Sequence, residues 1–209
     1  MKRRFILYSA NLMAAVMDAG IGMLIAALIS TAAGVTLPWY GLMLGAMFAL
    51  LPDLDLVPSV LWRGVLTFDH RQTLFHRPLL FIPLVTAVTY LMGGSVWASI
   101  AFTAVLWHFL HDTNFLDDTY GVAWFWPFSN HFWSLRGAFP PPLLQPHEDW
   151  LHEHWLRPTL VSVRELGIGS LSALVAGRLT GVASVEVVVP FVVFVVGVGL
   201  VWWLAAERS

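Results

Sequence analysis

Apolar residues run along this chain in long blocks separated by short polar breaks. A membrane-spanning helix needs about 20 mostly apolar residues. Residues 12–34 (LMAAVMDAGIGMLIAALISTAAG) fit, with Asp18 as the one charge inside. Residues 37–51 (LPWYGLMLGAMFALL) form a second, shorter segment ending at Pro52. Residues 78–93 form a third. Gly93-Gly94 then mark a tight turn before a fourth at 95–112, whose polar residues gather at its far end. Residues 167–184 are rich in small residues and read as a fifth segment, spanning or re-entrant. Residues 185–206 read as a closing span with a tryptophan anchor. The pattern predicts an all-α polytopic bundle of about five or six membrane segments, in one integral-membrane domain over residues 1–209.

Between the apolar blocks lie two polar stretches, 52–77 and 113–166. The second holds Pro140-Pro141-Pro142, a stiff connector. It also holds HEDWLHEHWLRP after Pro146, which reads as a short helix with acids in its first turn. Trp150, Leu151, Trp155 and Leu156 give that helix an apolar stripe suited to the bilayer surface. Lys and Arg in short loops set orientation. They occur at Lys2, Arg3 and Arg4 and at Arg63, Arg71 and Arg77, and not in the turns at 35–37 and 93–95. The N-terminus, the 52–77 loop and the 113–166 loop region are therefore expected on the cytoplasmic face.

Composition sharpens this picture. The chain is 58% hydrophobic and 11% charged, with a mean hydropathy of +0.73, against roughly 25% charged in ordinary soluble domains. That makes it a membrane protein, with membrane lipids as its first expected partners. The net charge of −2 gives no field that would favour nucleic acid. The absence of cysteine excludes disulfides and thiolate metal sites. The basic start resembles a secretory signal, but Asn11 and Asp18 interrupt its apolar region, so an uncleaved first span is expected.

The polar residues converge on one membrane face. LPDLD ends the second segment with Asp53 and Asp55; His70 and His76 lead into the third; His108, His111 and Asp112 end the fourth. Residues i, i+3 and i+4 share a helix face. Clustered carboxylates repel and raise each other's pKa, and a divalent cation relieves that. Carboxylate and imidazole ligands without thiolate suit Zn²⁺, Mn²⁺ or Fe²⁺. Singly, each of these residues also reads as an ordinary polar helix end at the interface. Asp18 reads either as functional or as a protonated, hydrogen-bonded carboxyl. His147, His152 and His154 with Glu148, Asp149 and Glu153 invite a second metal site, but their spacing does not stack on one helix face. A lid helix on the membrane is preferred there. His131 reads as a loop residue.

LPDLD, HRQTLFHRPLL, HFLHD and GVAWFWPFS, in this order, resemble the membrane-bound metal-dependent hydrolase family, also described as LexA-binding, inner-membrane-associated hydrolases. The resemblance covers about residues 10–130. It implies Asp53, Asp55, His70, His76, His108 and Asp112 as metal ligands. The two loop histidines are six residues apart, one more than the family pattern, and His111 stands where an apolar residue is usual. The implied activity is attack by metal-activated water on an ester or phosphoester of a lipid-like substrate at the inner membrane. Asp55 or Asp112 would serve as general base, and Arg71 and Arg77 would clamp an anionic group or simply anchor to lipid phosphates. A transporter or a scaffold with a structural metal remains the alternative, although a carrier usually shows repeats and polarity at several depths.

Overall fold

The computed structural model describes residues 12–55, 70–113, 121–135, 137–139, 154–182 and 184–206. Among the described residues, five helices carry the fold: α1 (Val16–Ala32), α2 (Trp39–Leu50), α3 (Pro78–Asp112), α4 (Leu160–Thr180) and α5 (Ser184–Ala206). Three apolar stretches among the described residues are long enough to cross a membrane: Leu12–Ala32, Pro78–Asp112 and Leu160–Thr180. The all-helical membrane class is as the sequence predicts. The second segment, however, forms only the 12-residue α2, about 18 Å at 1.5 Å per residue.

The chain groups into two compact units, Met1–Ala46 with His147–Ser209, and Met47–Pro146. In the first, α1 and α4 pack backbone to backbone. A Cβ on Gly169 would stand 2.8 Å from the Met17 Cα, and one on Gly20 would collide with the Gly169 carbonyl. Met23, Ala27, Leu42, Ala46 and Ala176 close a small core beside this crossing. Small residues matter here because lipid is as apolar as leucine; helices in a bilayer gain from close packing rather than from leaving water.

The fifth segment starts earlier than expected, at Leu160 rather than 167. Thr159 caps it: its hydroxyl accepts from the Ser162 amide at 3.1 Å, and its own amide donates to Ser162 Oγ at 2.9 Å. Arg164 and Glu165 hide this start in the sequence, yet they pair with each other at 3.0 Å. Gly181, at φ 70°, ends the helix in the left-handed cap. Trp155 and Leu156 also depart from expectation. Both are buried in the fold, and the Trp202 indole donates to the Trp155 carbonyl at 3.0 Å, so neither lies on a surface stripe.

The second unit is built on α3. Gly94 breaks it with φ 77° and ψ −170°, so the predicted turn falls between arms 78–93 and 95–112. The arms fold back on each other. The Phe81 and Phe109 rings meet edge to face at 6.3 Å, in a core with Ile82, Val85, Ala101 and Val105. Both outer ends of α3 therefore lie at one end of this helical hairpin. A β-hairpin that the sequence pattern did not predict sits there too, with β1 (Phe132–Ser134) antiparallel to β2 (Gly137–Phe139). Val122 bridges β1 at Trp133 and joins the α3 core.

Candidate metal centre

Three short turns and one helix end bring the site together. Pro52 follows α2 and the chain tightens into a 3₁₀ turn, Leu51–Asp55. Residues i and i+3 eclipse in such a turn, which buries Pro52 and Asp55 together. A second turn, His70–Gln72, and a third, Leu74–His76, lead into Pro78 at the start of α3. The far arm of α3 returns His108 and Asp112, one helical turn apart, to the same place.

His76 and His108 are fully buried. His76 Nε2 lies 3.4 Å from Asp53 Oδ1 and 3.5 Å from Asp112 Oδ2. His108 Nε2 lies 3.6 Å from Asp53 Oδ1 and 3.5 Å from Asp112 Oδ2. Asp53, His76 and His108 offer ligand atoms within 4.8 Å of one another, a group that could hold a metal ion. The spacing fits one. These contacts are longer than ordinary N–H···O hydrogen bonds, whereas a tetrahedral ion bound at about 2.0–2.2 Å keeps its ligand atoms about 3.3–3.6 Å apart.

Around this group the partners are specific. Arg71 Nη2 binds the other Asp112 oxygen, Oδ1, at 3.0 Å. Asp55 Oδ2 faces the second ring nitrogen of His76, Nδ1, at 3.5 Å, and accepts a hydrogen bond from the Thr73 hydroxyl. Asp55 thus approaches His76 from the nitrogen opposite the one that Asp53 and Asp112 face. His111 is not part of the group: its ring stacks on Trp107 at 6.1 Å and 14°. The side chain of His70 lies outside the described residues, as do residues 147–153 of HEDWLHEH. His154 sits in the turn before α4, where its carbonyl accepts from Thr159 Oγ1 at 2.8 Å. His131 is an exposed loop residue beside Ser129. Asp18 is buried within the first span, and Arg178 sits exposed in the last turn of α4.

Sequence reasoning missed the role of Arg77. Its guanidinium lies over the Trp126 ring at 5.9 Å and the Phe132 ring at 5.5 Å, and Nη2 donates to the Gln72 carbonyl at 2.8 Å. It is a clasp between the turn that carries His76 and the aromatic hairpin, not a free clamp. Each cation–π contact contributes about 0.5–2 kcal/mol. Arg77→Ala is expected to lower the melting temperature of the purified protein, with Arg77→Lys between it and wild type, since an ammonium keeps the charge but not the planar fork. A melting curve for Arg77→Ala matching wild type would remove the clasp.

Burial pulls the His76 imidazole toward neutrality, but Asp53, Asp55 and Asp112 outweigh this and raise its pKa above the ordinary 6.5. A raised folded-state pKa stabilises the fold fully below the unfolded value, and that contribution is lost as pH rises through the folded one. Protein stripped by chelator should therefore melt at a lower temperature as pH climbs from below 6.5 through the raised value. His76→Gln should flatten that dependence.

The fold and this site define a helical integral membrane protein with a candidate carboxylate–histidine metal centre. The chain belongs to the YdjM inner membrane protein family, whose model matches residues 13–206. The match reaches well beyond the motifs near the centre, through α4 and α5. No curated protein and no solved structure matches it.

Proposed function

We propose that the centre holds a divalent cation, Zn, Mn or Fe, and hydrolyses an ester or phosphoester of a lipid-like substrate at the inner membrane. The observation that carries the reading is the meeting of His76 Nε2, His108 Nε2, Asp53 Oδ1 and Asp112 Oδ2 at 3.4–3.6 Å. Asp53, His76 and His108 hold the ion, and Asp112 Oδ2, 3.5 Å from both Nε2 atoms, stands beside the place its water ligand would take. Such a cation supplies Lewis acidity and brings the pKa of a water ligand toward about 7. Asp55 positions His76 through Nδ1, as carboxylates behind ligating histidines commonly do. That leaves Asp112 as the better-placed proton acceptor, with Arg71 holding its second oxygen. Arg71, beside Asp112, is also a cation that an incoming anionic group could meet. The spread of Lys and Arg supports a cytoplasmic N-terminus and centre.

The test is metal content by elemental analysis of gently purified protein, followed by turnover of ester and phosphoester amphiphiles with and without chelator. Near-stoichiometric metal and chelator-sensitive turnover are expected. No metal, even after reloading, would sink the centre. Metal without turnover would favour the scaffold or carrier reading.

A further inference from the structure

The segments that build the centre present apolar side chains outward. Leu54, between the two LPDLD aspartates, is 48% exposed; Leu74 and Phe75, just before His76, are 58% and 41% exposed. On the aromatic segment clasped by Arg77, Phe125 is 52%, Phe128 86% and Leu135 61% exposed. Among the described residues, the cations beside them are engaged, Arg71 with Asp112 and Arg77 with Gln72 and two rings. Asn130 and His131 are exposed beside Phe128, so the rim mixes apolar and polar groups, as a surface at headgroup depth does.

Depth says what meets this rim. From the Gly94 turn, the α3 arms 78–93 and 95–112 run about 24 and 27 Å at 1.5 Å per residue. The hydrocarbon core is about 30 Å thick. The arms come close to that length, so a hairpin set across the core with its Gly94 turn near one boundary brings His76, Asp112 and the β-hairpin close to the other boundary between acyl chains and headgroups. The hairpin is tied to that end of α3, with Trp124 Nε1 donating to Thr113 Oγ1 at 2.7 Å and Val122 packed in the α3 core. Aromatic side chains favour this depth, and large exposed apolar patches mark an interaction surface.

We propose that Leu54, Leu74, Phe75, Phe125, Phe128 and Leu135 form a collar seated in the bilayer interface, whose occupant is membrane phospholipid. The collar sets the centre at the depth of the phospholipid ester and phosphate groups, so a substrate reaches it sideways from the membrane. The substrate consequence rests on the hydrolase reading; the seating of the collar does not.

The chain has no cysteine, so Phe128→Cys and Leu74→Cys each give one labelling site. Each variant is labelled with an environment-sensitive nitrobenzoxadiazole dye and reconstituted in phosphatidylethanolamine–phosphatidylglycerol vesicles. These carry nitroxides in the headgroup or along the acyl chain. Both positions are exposed, so labelling should leave folding intact, and unchanged melting curves check this. Expected are blue-shifted emission and quenching strongest from headgroup and shallow acyl nitroxides, with little from aqueous iodide. Water-like emission quenched by iodide overturns the collar. So does blue-shifted emission that no lipid nitroxide quenches, which would mean a protein surface covers the patch. Metal content of the same samples separates the two readings. A seated collar without metal leaves the collar and removes the hydrolase; metal with a water-exposed dye does the reverse.

Discussion

Asp53→Asn, His76→Ala and His108→Ala, made one at a time, are each expected to leave the purified protein without the metal proposed for the centre. All three lose it together because their ligand atoms form one group within 4.8 Å, so removing any member leaves two ligands on a hydrated ion. Removing an outer partner of a ligand commonly lowers metal affinity about 10–100-fold. Loss of a ligand should exceed that, and about 100-fold is already near 2.7 kcal/mol. Asp55→Asn is the discriminating variant. Asp55 faces His76 Nδ1 and is held by Thr73, so the amide should weaken metal binding about 10–100-fold without abolishing it. His111→Ala should bind as wild type, since that ring stacks on Trp107. Titrations with a competing chelator read all five. Equal loss in Asp55→Asn and His76→Ala would make Asp55 a ligand. Full metal retention in His108→Ala would dismantle the group.

Gly169→Ala destabilises the first unit far more than Gly167→Ala on the same helix. A Cβ at 169 would lie 2.6 Å from the Val16 carbonyl carbon and 2.8 Å from the Met17 Cα, whereas one at 167 meets nothing within 4 Å. The neighbours at 169 are backbone and cannot rotate away, so α1 and α4 must separate. Overpacking ordinarily costs about 1–3 kcal/mol through side-chain shifts. A backbone collision belongs at or above the top of that range, roughly 6–12 °C in melting temperature for a chain of this size. The bilayer adds no hydrophobic compensation, because separated helices are solvated by lipid. Gly167→Ala should be neutral or slightly stabilising, by up to about 1 kcal/mol from helix propensity. Melting curves of the two variants in the same detergent decide it, and similar shifts would show that the crossing does not rest on close approach.

What was legible in the sequence was local. Apolar blocks of spanning length marked the helices, because a bilayer demands an unbroken run whatever the rest of the chain does. Gly93-Gly94 marked the turn, because only glycine adopts the φ of 77° found at Gly94 without strain. His108 and Asp112 shared a face because helical spacing requires it. The family match over residues 13–206 bears out the inner-membrane part of the resemblance. The start of α4 was hidden because two charged residues masked an apolar run, although its capping pair stood in the sequence at Thr159 and Ser162. The β-hairpin was hidden because strands of three residues leave almost no periodic signal.

The division of labour inside the centre belongs to the tertiary structure. By itself the sequence determined a greasy helical chain whose acids and histidines gather at the ends of its apolar segments. It could not separate Asp53, which faces two Nε2 atoms, from Asp55, which faces one Nδ1. Nor could it show Arg71 on Asp112, 41 residues away, or Arg77 held between two rings. Spacing along a chain sets which side chains share a local face. Which atom of one meets which atom of another, across a hairpin that folds back at Gly94, is set by how the arms of α3 and the three turns pack together.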